Sequence, residues 1–361
     1  MTGIRARLLH CVTPERSGAP ARLVASRWAS RSVVVALLAG AVAALAAAAP
    51  PTAADVVRVN LAWLPQGSTG GILVAIAKGY YAEAGLNVSA VRGYGGQRTV
   101  NEVDQGLFDF GYGDPVSVVL NRSQGGHTTM VAAINTQWPA ALCYVDRPAR
   151  RIATVADLKG LTLGGGIGSP VHNIVPAWLQ ANGLPPTHLK VLRLDPAVIN
   201  AALLQGRIDL AECWEGANRP LLERVAQDDG KRIKWLRYRD FSLNLYGNGL
   251  VTTEALLAAK PDLVRRFLRA TFRGYEFQRT NPDAAADAIL SLPLARILDR
   301  RVLLQQIRET NDLVVEPQAA GLAMGRMLDE RMAATVAFVA KAFTLTAVPP
   351  VTGVFTNRFL D

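Results

Sequence analysis

The sequence predicts an α/β protein of two lobes, each a mostly parallel sheet flanked by helices, joined by two chain crossings that act as a hinge. Three observations carry this expectation. From Asp55 onward, apolar β-type runs alternate with helical periodicity over short connections. The scheme restarts near Thr154. A signature also recurs in the two runs, where Gln105, Gly106 and Asp109 in QGLFD match Gln205, Gly206 and Asp209 in QGRID. Each glycine is expected to end a helix in the left-handed conformation, and each aspartate to lead a buried strand.

Residues 1–32 hold six arginines against one acid, Glu15, and VVVALLAGAVAALAAAA then fills positions 33–49. Small residues follow at 51–54. This is the pattern of a secretory signal over 1–54, cleaved after Ala54, and it implies export to the periplasm. A retained membrane anchor is disfavoured because Ala and Gly dominate the apolar run, and no cysteine follows it to carry a lipid.

The remaining elements follow in order. VVRVNLAW reads as the first strand, GGILVAIAKGYYAEA as a helix stopped by Gly85, LNVSAV as a strand and RTVNEVDQG as a helix ending at Gly106. FDFGYG, PVSVVLNRSQGG and TTMVAAI continue as strand, helix and strand. The second run leads from TVADLKG into LTLGGG, then a helix from about 170 to 181, a strand at LKVLRLD, a helix at PAVINAALLQG and a strand at IDLAEC. KWLRY and LYGNGLVTT read as strands, and the chain from about 253 to 342 as mostly helix, with Pro261 and Pro282 at helix starts. These boundaries place 55–145 together with 247–361 in lobe 1, and 146–246 in lobe 2.

Composition excludes several classes. A chain of 361 residues with 50% hydrophobic and 19% charged residues is globular. Its formal charge of +10 falls by half without residues 1–54, which leaves 33 basic against 28 acidic groups. The basic run KRIKWLRYR at 231–239 reads as a solvated helix-to-strand edge, so no nucleic-acid partner is expected. No CxxC, HExxH, GxSxG or GxxxxGK[ST] occurs, the histidines outside the signal are widely spaced, and neither metal nor cofactor is expected. Gly164, Gly166 and Ser169 imitate a dinucleotide fingerprint, but the third glycine is missing. Cys143 and Cys213 can pair in an oxidising compartment, which two cysteines distant in sequence do not by themselves establish.

In open α/β sheets a ligand sits beyond the carboxyl ends of the strands, where helix N-termini offer free N–H groups. The glycine-rich loops LPQGSTGG, RGYGG, GYGDP and GGGIGSP, with ECWEGAN, fall there, and glycine lets backbone approach a ligand closely. The candidate ligand-binding residues are Trp63, Thr69, Gly71, Gly95, Asp114, Trp138, Gly166, Gly168, Ser169, His172, Trp214 and Glu215. Asp114, before Pro115, serves equally as a helix N-cap. Tryptophans at strand ends either pack under loops or stack on a flat ligand.

W-x-P at 63–65, KGYYAEAGLNV at 78–88, QGLFDFG at 105–111, TVADLKGLTLG at 154–164 and QGRIDLAECW at 205–214, in this order, resemble a known family. It is that of the periplasmic substrate-binding proteins of nitrate/taurine/sulfonate-type ABC importers, in the branch similar to thiamine-pyrimidine synthesis proteins. The resemblance implies a type II periplasmic-binding-protein fold, a monomer that closes on a small molecule and delivers it to an ABC permease and ATPase complex, and no chemistry of its own. It implies that Trp63, Gly71, Gly166 to Ser169, Trp214 and Glu215 line the pocket. The branch's first-loop histidine is replaced by Thr69, which counts against pyrimidine recognition, and the cysteine-rich iron motif of the fungal synthesis proteins is missing, which counts against synthesis of the pyrimidine by this chain. A thiamine pyrimidine precursor is the first ligand expected, then a sulfonate, taurine or nitrate. A ligand-sensing module for a receptor would use the same residues, whereas an enzyme on this fold would need Asp114 or Glu215 as acid or base.

Overall fold

A computed structural model describes residues 53–360, apart from 149, 168, 244 and 316–320. All but the last two residues of the expected signal segment lie outside this range. β1 (Asp55–Asn60) turns Val57 and Val59 inward and Val56 and Arg58 outward, the alternation of a half-buried strand. α1 (Gly70–Ala77) and α2 (Tyr80–Glu83) lead to β2 (Leu86–Val91). α3 (Gly96–Asp104) buries Thr99, Val100 and Val103 on one face and precedes β3 (Phe110–Gly113). α4 (Pro115–Ser123) then leads to β4 (Thr128–Ala133).

Here the chain crosses to a second sheet, built from β5 (Ala140–Val145), β6 (Thr162–Gly166), β7 (Lys190–Leu194), β8 (Leu210–Trp214) and β9 (Ile233–Arg237). Its helices are α5 (Val171–Ala181), α6 (Pro196–Leu204) and α7 (Asn218–Asp228). β10 (Gly249–Thr253) returns to the first sheet. The chain ends in α8 (Glu254–Ala259), α9 (Pro261–Thr280), α10 (Pro282–Leu290), α11 (Arg300–Leu313), α12 (Asp329–Ala342) and α13 (Val351–Val354). Pro261 and Pro282 stand in first turns, where a missing N–H costs no helical hydrogen bond. No helix among the described residues is long and apolar enough to cross a membrane.

The two sheets share one plan. Their strand orders are β2-β1-β3-β10-β4 and β7-β6-β8-β5-β9, and in each the fourth position is antiparallel to its neighbours. The recurring signature occupies equivalent places. Gly106 and Gly206 both have left-handed φ, at 73° and 72°. Asp109 accepts from Arg58 N on β1 at 2.7 Å, and Asp209 from Thr162 N on β6 at 3.0 Å. The boundary expected after residue 145 differs from the pairing observed. β5 hydrogen-bonds to β8 and β9, so the first crossing lies at 137–139, before Ala140.

Each sheet has its own core. In the first, Phe267 of α9 stacks on Phe110 with ring centroids 3.9 Å apart and on Tyr81 at 5.3 Å. In the second, Trp178 meets Tyr238 edge to face at 4.7 Å. α12 packs on α4 of the first lobe and α5 of the second, and its Met332, Val336 and Val339 make the two cores continuous. Cys143 and Cys213 form a disulfide between β5 and β8, which resolves the pairing that the sequence left open.

Candidate functional site between the lobes

The loops after β1 and β8 meet directly, with Ser68 N donating to Gly216 O at 2.9 Å. The carboxyl ends of the two sheets therefore face one another, and the site is built from both sides of that meeting.

On the first lobe, buried Asn60 organises the loop after β1. Its Oδ1 accepts from Ala62 N at 2.9 Å and Thr99 Oγ1 at 3.0 Å, holding Ala62 at a left-handed φ of 61°. Ala62 and Trp63 then offer their carbonyls to Gly95 N and Gly93 N at 2.7 and 3.2 Å. The glycines of this lobe mostly make room for the protein itself. A Cβ on Gly93 would stand 2.3 Å from Asn60 Oδ1, on Gly96 2.5 Å from Asp114 Oδ2, and on Gly71 2.3 Å from the Tyr275 ring. Gly95 differs, with φ at 115° and open space where a Cβ would stand. Asp114 caps α4, accepting from Ser117 N and Ser117 Oγ at 2.9 Å each. Burial pushes its carboxyl above the ordinary range against those bonds. Thr69 is fully buried, its hydroxyl turned onto Gln66 O at 3.1 Å. Trp63 is half-buried.

The second lobe gathers Gly166, Ser169 and Trp214 around a residue outside the candidate set, Glu212. Its carboxylate accepts from Gly166 N at 3.1 Å, Ser169 Oγ at 2.5 Å and Trp214 Nε1 at 3.0 Å. Burial pushes this carboxyl up, and the three donors draw it back only in part. No lysine or arginine among the described residues lies within ion-pair distance of it. Strand alternation was the signal available, since Glu212 and Trp214 two residues apart on β8 share a face. His172 Nε2 donates to Gly166 O at 3.1 Å, and burial lowers its pKa, so the imidazole is a neutral brace for the loop after β6. Gly168 lies outside the described residues.

Trp138 is fully buried and sits behind half-buried Trp214, with ring centroids 5.4 Å apart at 56°. Glu215 is held by Arg239, whose Nη2 reaches Oε2 at 2.9 Å while Nη1 also donates to Oε1 and to Trp138 O. Arg239 belongs to the run that read as a solvated edge. The structure instead turns its side chain to the crossing, where it fixes Glu215 and Trp138 together. The buried Trp138 Nε1 and Tyr238 Oη have no hydrogen-bond partner among the described residues.

Two sheets of one plan, with their carboxyl ends apposed across a double crossing, define the periplasmic-binding-protein fold. The aliphatic sulphonate binding protein SsuA of Escherichia coli has it too, at a TM-score of 0.65 and 16% identity over 85% of this chain and 99% of that one. The NMT1/THI5-like family model matches residues 66–285, and the chain belongs to that family. Among curated relatives, the riboflavin-binding protein RibY of Chloroflexus aurantiacus is 29% identical over 328 residues, 89% of this chain and 91% of the relative. A formylaminopyrimidine-binding protein of Halalkalibacterium halodurans is 27% identical over 245 residues, 66% of this chain and 71% of the relative.

Proposed function

We propose that this protein is the periplasmic solute-binding component of an ABC importer, and that it captures a flat, neutral heteroaromatic molecule carrying N–H donors. The observation that carries the ligand class is Glu212, a buried acceptor beside the half-buried Trp214 ring with no lysine or arginine among the described residues within ion-pair distance. A sulfonate or nitrate about 4 Å from an ionised carboxylate is repelled by about 4 kcal/mol at an effective dielectric of about 20. A helix N-terminus returns roughly 0.3–1 kcal/mol, and about 2 kcal/mol at best. An anion would therefore bind only once Glu212 had taken up a proton from solvent. A ring N–H or amino group meets no such penalty and adds a charge-assisted hydrogen bond, while Trp214 supplies a face for the ring.

The names of the two curated relatives support this class, since riboflavin and formylaminopyrimidine are both flat heteroaromatics with N–H donors. Transport rather than catalysis is favoured because Asp114 is committed to its helix cap and Glu215 to Arg239, which leaves neither free as acid or base. A ligand touching both lobes stabilises their closed arrangement, and the permease would read that state.

Thermal unfolding against riboflavin, aminopyrimidines, alkanesulfonates and nitrate tests the ligand class. A cognate ligand at about 100 times its Kd stabilises the fold by roughly 2.7 kcal/mol. The expected result is a shift with a neutral heteroaromatic and none with the anions. A shift confined to sulfonates or nitrate would overturn the reading.

A further inference from the structure

The loop at 214–219 carries Trp214 and Glu215, yet what fixes its tip comes from the opposite lobe. α11 belongs to the first lobe through Leu303 and Ile307, which pack in the core around β1 and α9. From there Gln306 Nε2 donates to Ala217 O at 2.6 Å, and Glu309 Oε2 accepts from Gly216 N at 2.8 Å. Glu309 also pairs with Arg219, which is itself buried and lies 4.1 Å from the Trp235 ring. The approach is close enough to require glycine, since Gly216 has φ at 68° and a Cβ there would stand 2.3 Å from Thr310 Oγ1.

Gln306 uses both ends of one amide. Its Oε1 accepts from Gly67 N at 3.1 Å, in the loop after β1 that also carries Trp63, while its Nε2 holds the loop after β8 that carries Trp214. Buried amide and carboxylate groups with every partner placed are costly to disturb, so this fastening is specific.

We propose that Gln306 and Glu309 are positioning residues of the ligand site: α11 sets the pose of Trp214 from across the cleft, so the aromatic face offered to a ligand depends on the lobes being closed. Neither residue need touch the ligand. Trp214 ends β8 and is tied to the loop by its own N–H on Asn218 Oδ1 at 2.8 Å and by Ala217 N on its carbonyl at 3.2 Å, so a lobe movement that draws α11 away from Gly216 and Ala217 reaches Trp214 through those two bonds. The effect on affinity rests on the ligand site proposed above, but the pose of Trp214 does not.

The deciding experiment is fluorine NMR of the full protein labelled with 5-fluorotryptophan, without ligand. The Trp214 signal is identified by its loss in Trp214→Phe, and the Trp178 signal likewise in Trp178→Phe. In Gln306→Glu the donor facing Ala217 O becomes an acceptor while the acceptor for Gly67 N is kept. The Trp214 signal should shift or broaden, the Trp178 signal should stay, and Arg308→Gln on the exposed face of α11 should move neither. Glu309→Gln, which keeps an acceptor for Gly216 N but turns an amide NH2 onto the Arg219 and Gln305 donors, carries the same comparison if Gln306→Glu does not fold. An unmoved Trp214 signal in the folded variant, or one that moves together with Trp178, would overturn the assignment. With riboflavin as probe, the variant should bind about tenfold more weakly through a faster off-rate. If riboflavin binds neither protein, that counts against the proposed ligand class, and the fluorine spectra still decide the role of α11.

Discussion

Burial holds the Glu212 carboxyl above the ordinary glutamate range although three groups donate to it, so ionising it costs the folded state more than the unfolded chain. Its folded pKa lies above its unfolded one. The stability it contributes is therefore fully present below the unfolded pKa and is lost as pH rises through the folded pKa. Urea unfolding between about pH 4 and pH 8 should show the advantage of the wild type over Glu212→Gln shrinking as pH rises, and a growing advantage would contradict this account. Asp114 makes a separate prediction. Asp114→Ala leaves Ser117 N and Oγ without their acceptor and should cost about 1–2 kcal/mol in denaturant unfolding, whereas Asp114→Asn should recover most of that loss. If Asp114 acts only as a cap, ligand affinity measured at a temperature where both variants are folded stays near wild type. Asp114 was legible as a cap from its position before Pro115. Arg239 was not, because nothing local distinguishes an arginine that turns to bind Glu215 from its solvated neighbours in KRIKWLRYR.

At the scale of elements, α1 and α9 pack so closely that glycine is required on both sides. A Cβ on Gly71 would enter the Tyr275 ring, and one on Gly274 would stand 2.0 Å from Gly71 O. Gly71→Ala should cost about 1–3 kcal/mol, read as a lowered denaturation midpoint with an unchanged m-value. The sequence marked Gly71 as a place where a ligand could approach, and the physical demand it expressed was real. A glycine serving a ligand and a glycine serving a helix look the same in sequence. The disulfide between β5 and β8 closes a separation of 70 residues. In the chain-entropy account, replacing Cys143 and Cys213 together with serine should cost roughly 4 kcal/mol, measured by chemical unfolding. The elements most fully legible were those with a local pattern. QGLFD and QGRID each predicted a left-handed glycine and an aspartate leading a strand, and the two aspartates bind the backbone of equivalent neighbouring strands, β1 and β6. Residues 140–145 were placed with the first lobe because the apolar run AALCYV fits either one, and only the pairing of β5 with β8 and β9 decides.

At the scale of the whole molecule, alternation of strand and helix was enough to foresee two lobes, since each parallel pair needs a crossover that brings a helix onto the sheet. The two crossings were expected, but the helices that fasten one lobe to the other were not. α12 lies on both, and α11 reaches from one to hold the loop at 214–219 of the other, through pairings about 90 residues apart that leave no periodic trace. Glu212 and Trp214 share a face at the end of β8, the strand that leads into that loop, and the proposed function rests on that face taking a neutral ring with N–H donors in preference to an anion. Calorimetric titration of riboflavin into the wild type and Glu212→Gln across the same pH range tests that claim most directly. A donor to ionised Glu212 should bind more tightly as pH rises and level off above the folded pKa, with Glu212→Gln weaker by about tenfold and flat with pH. Affinity that weakens as pH rises, or a Glu212→Gln variant that binds as the wild type does, would contradict the account.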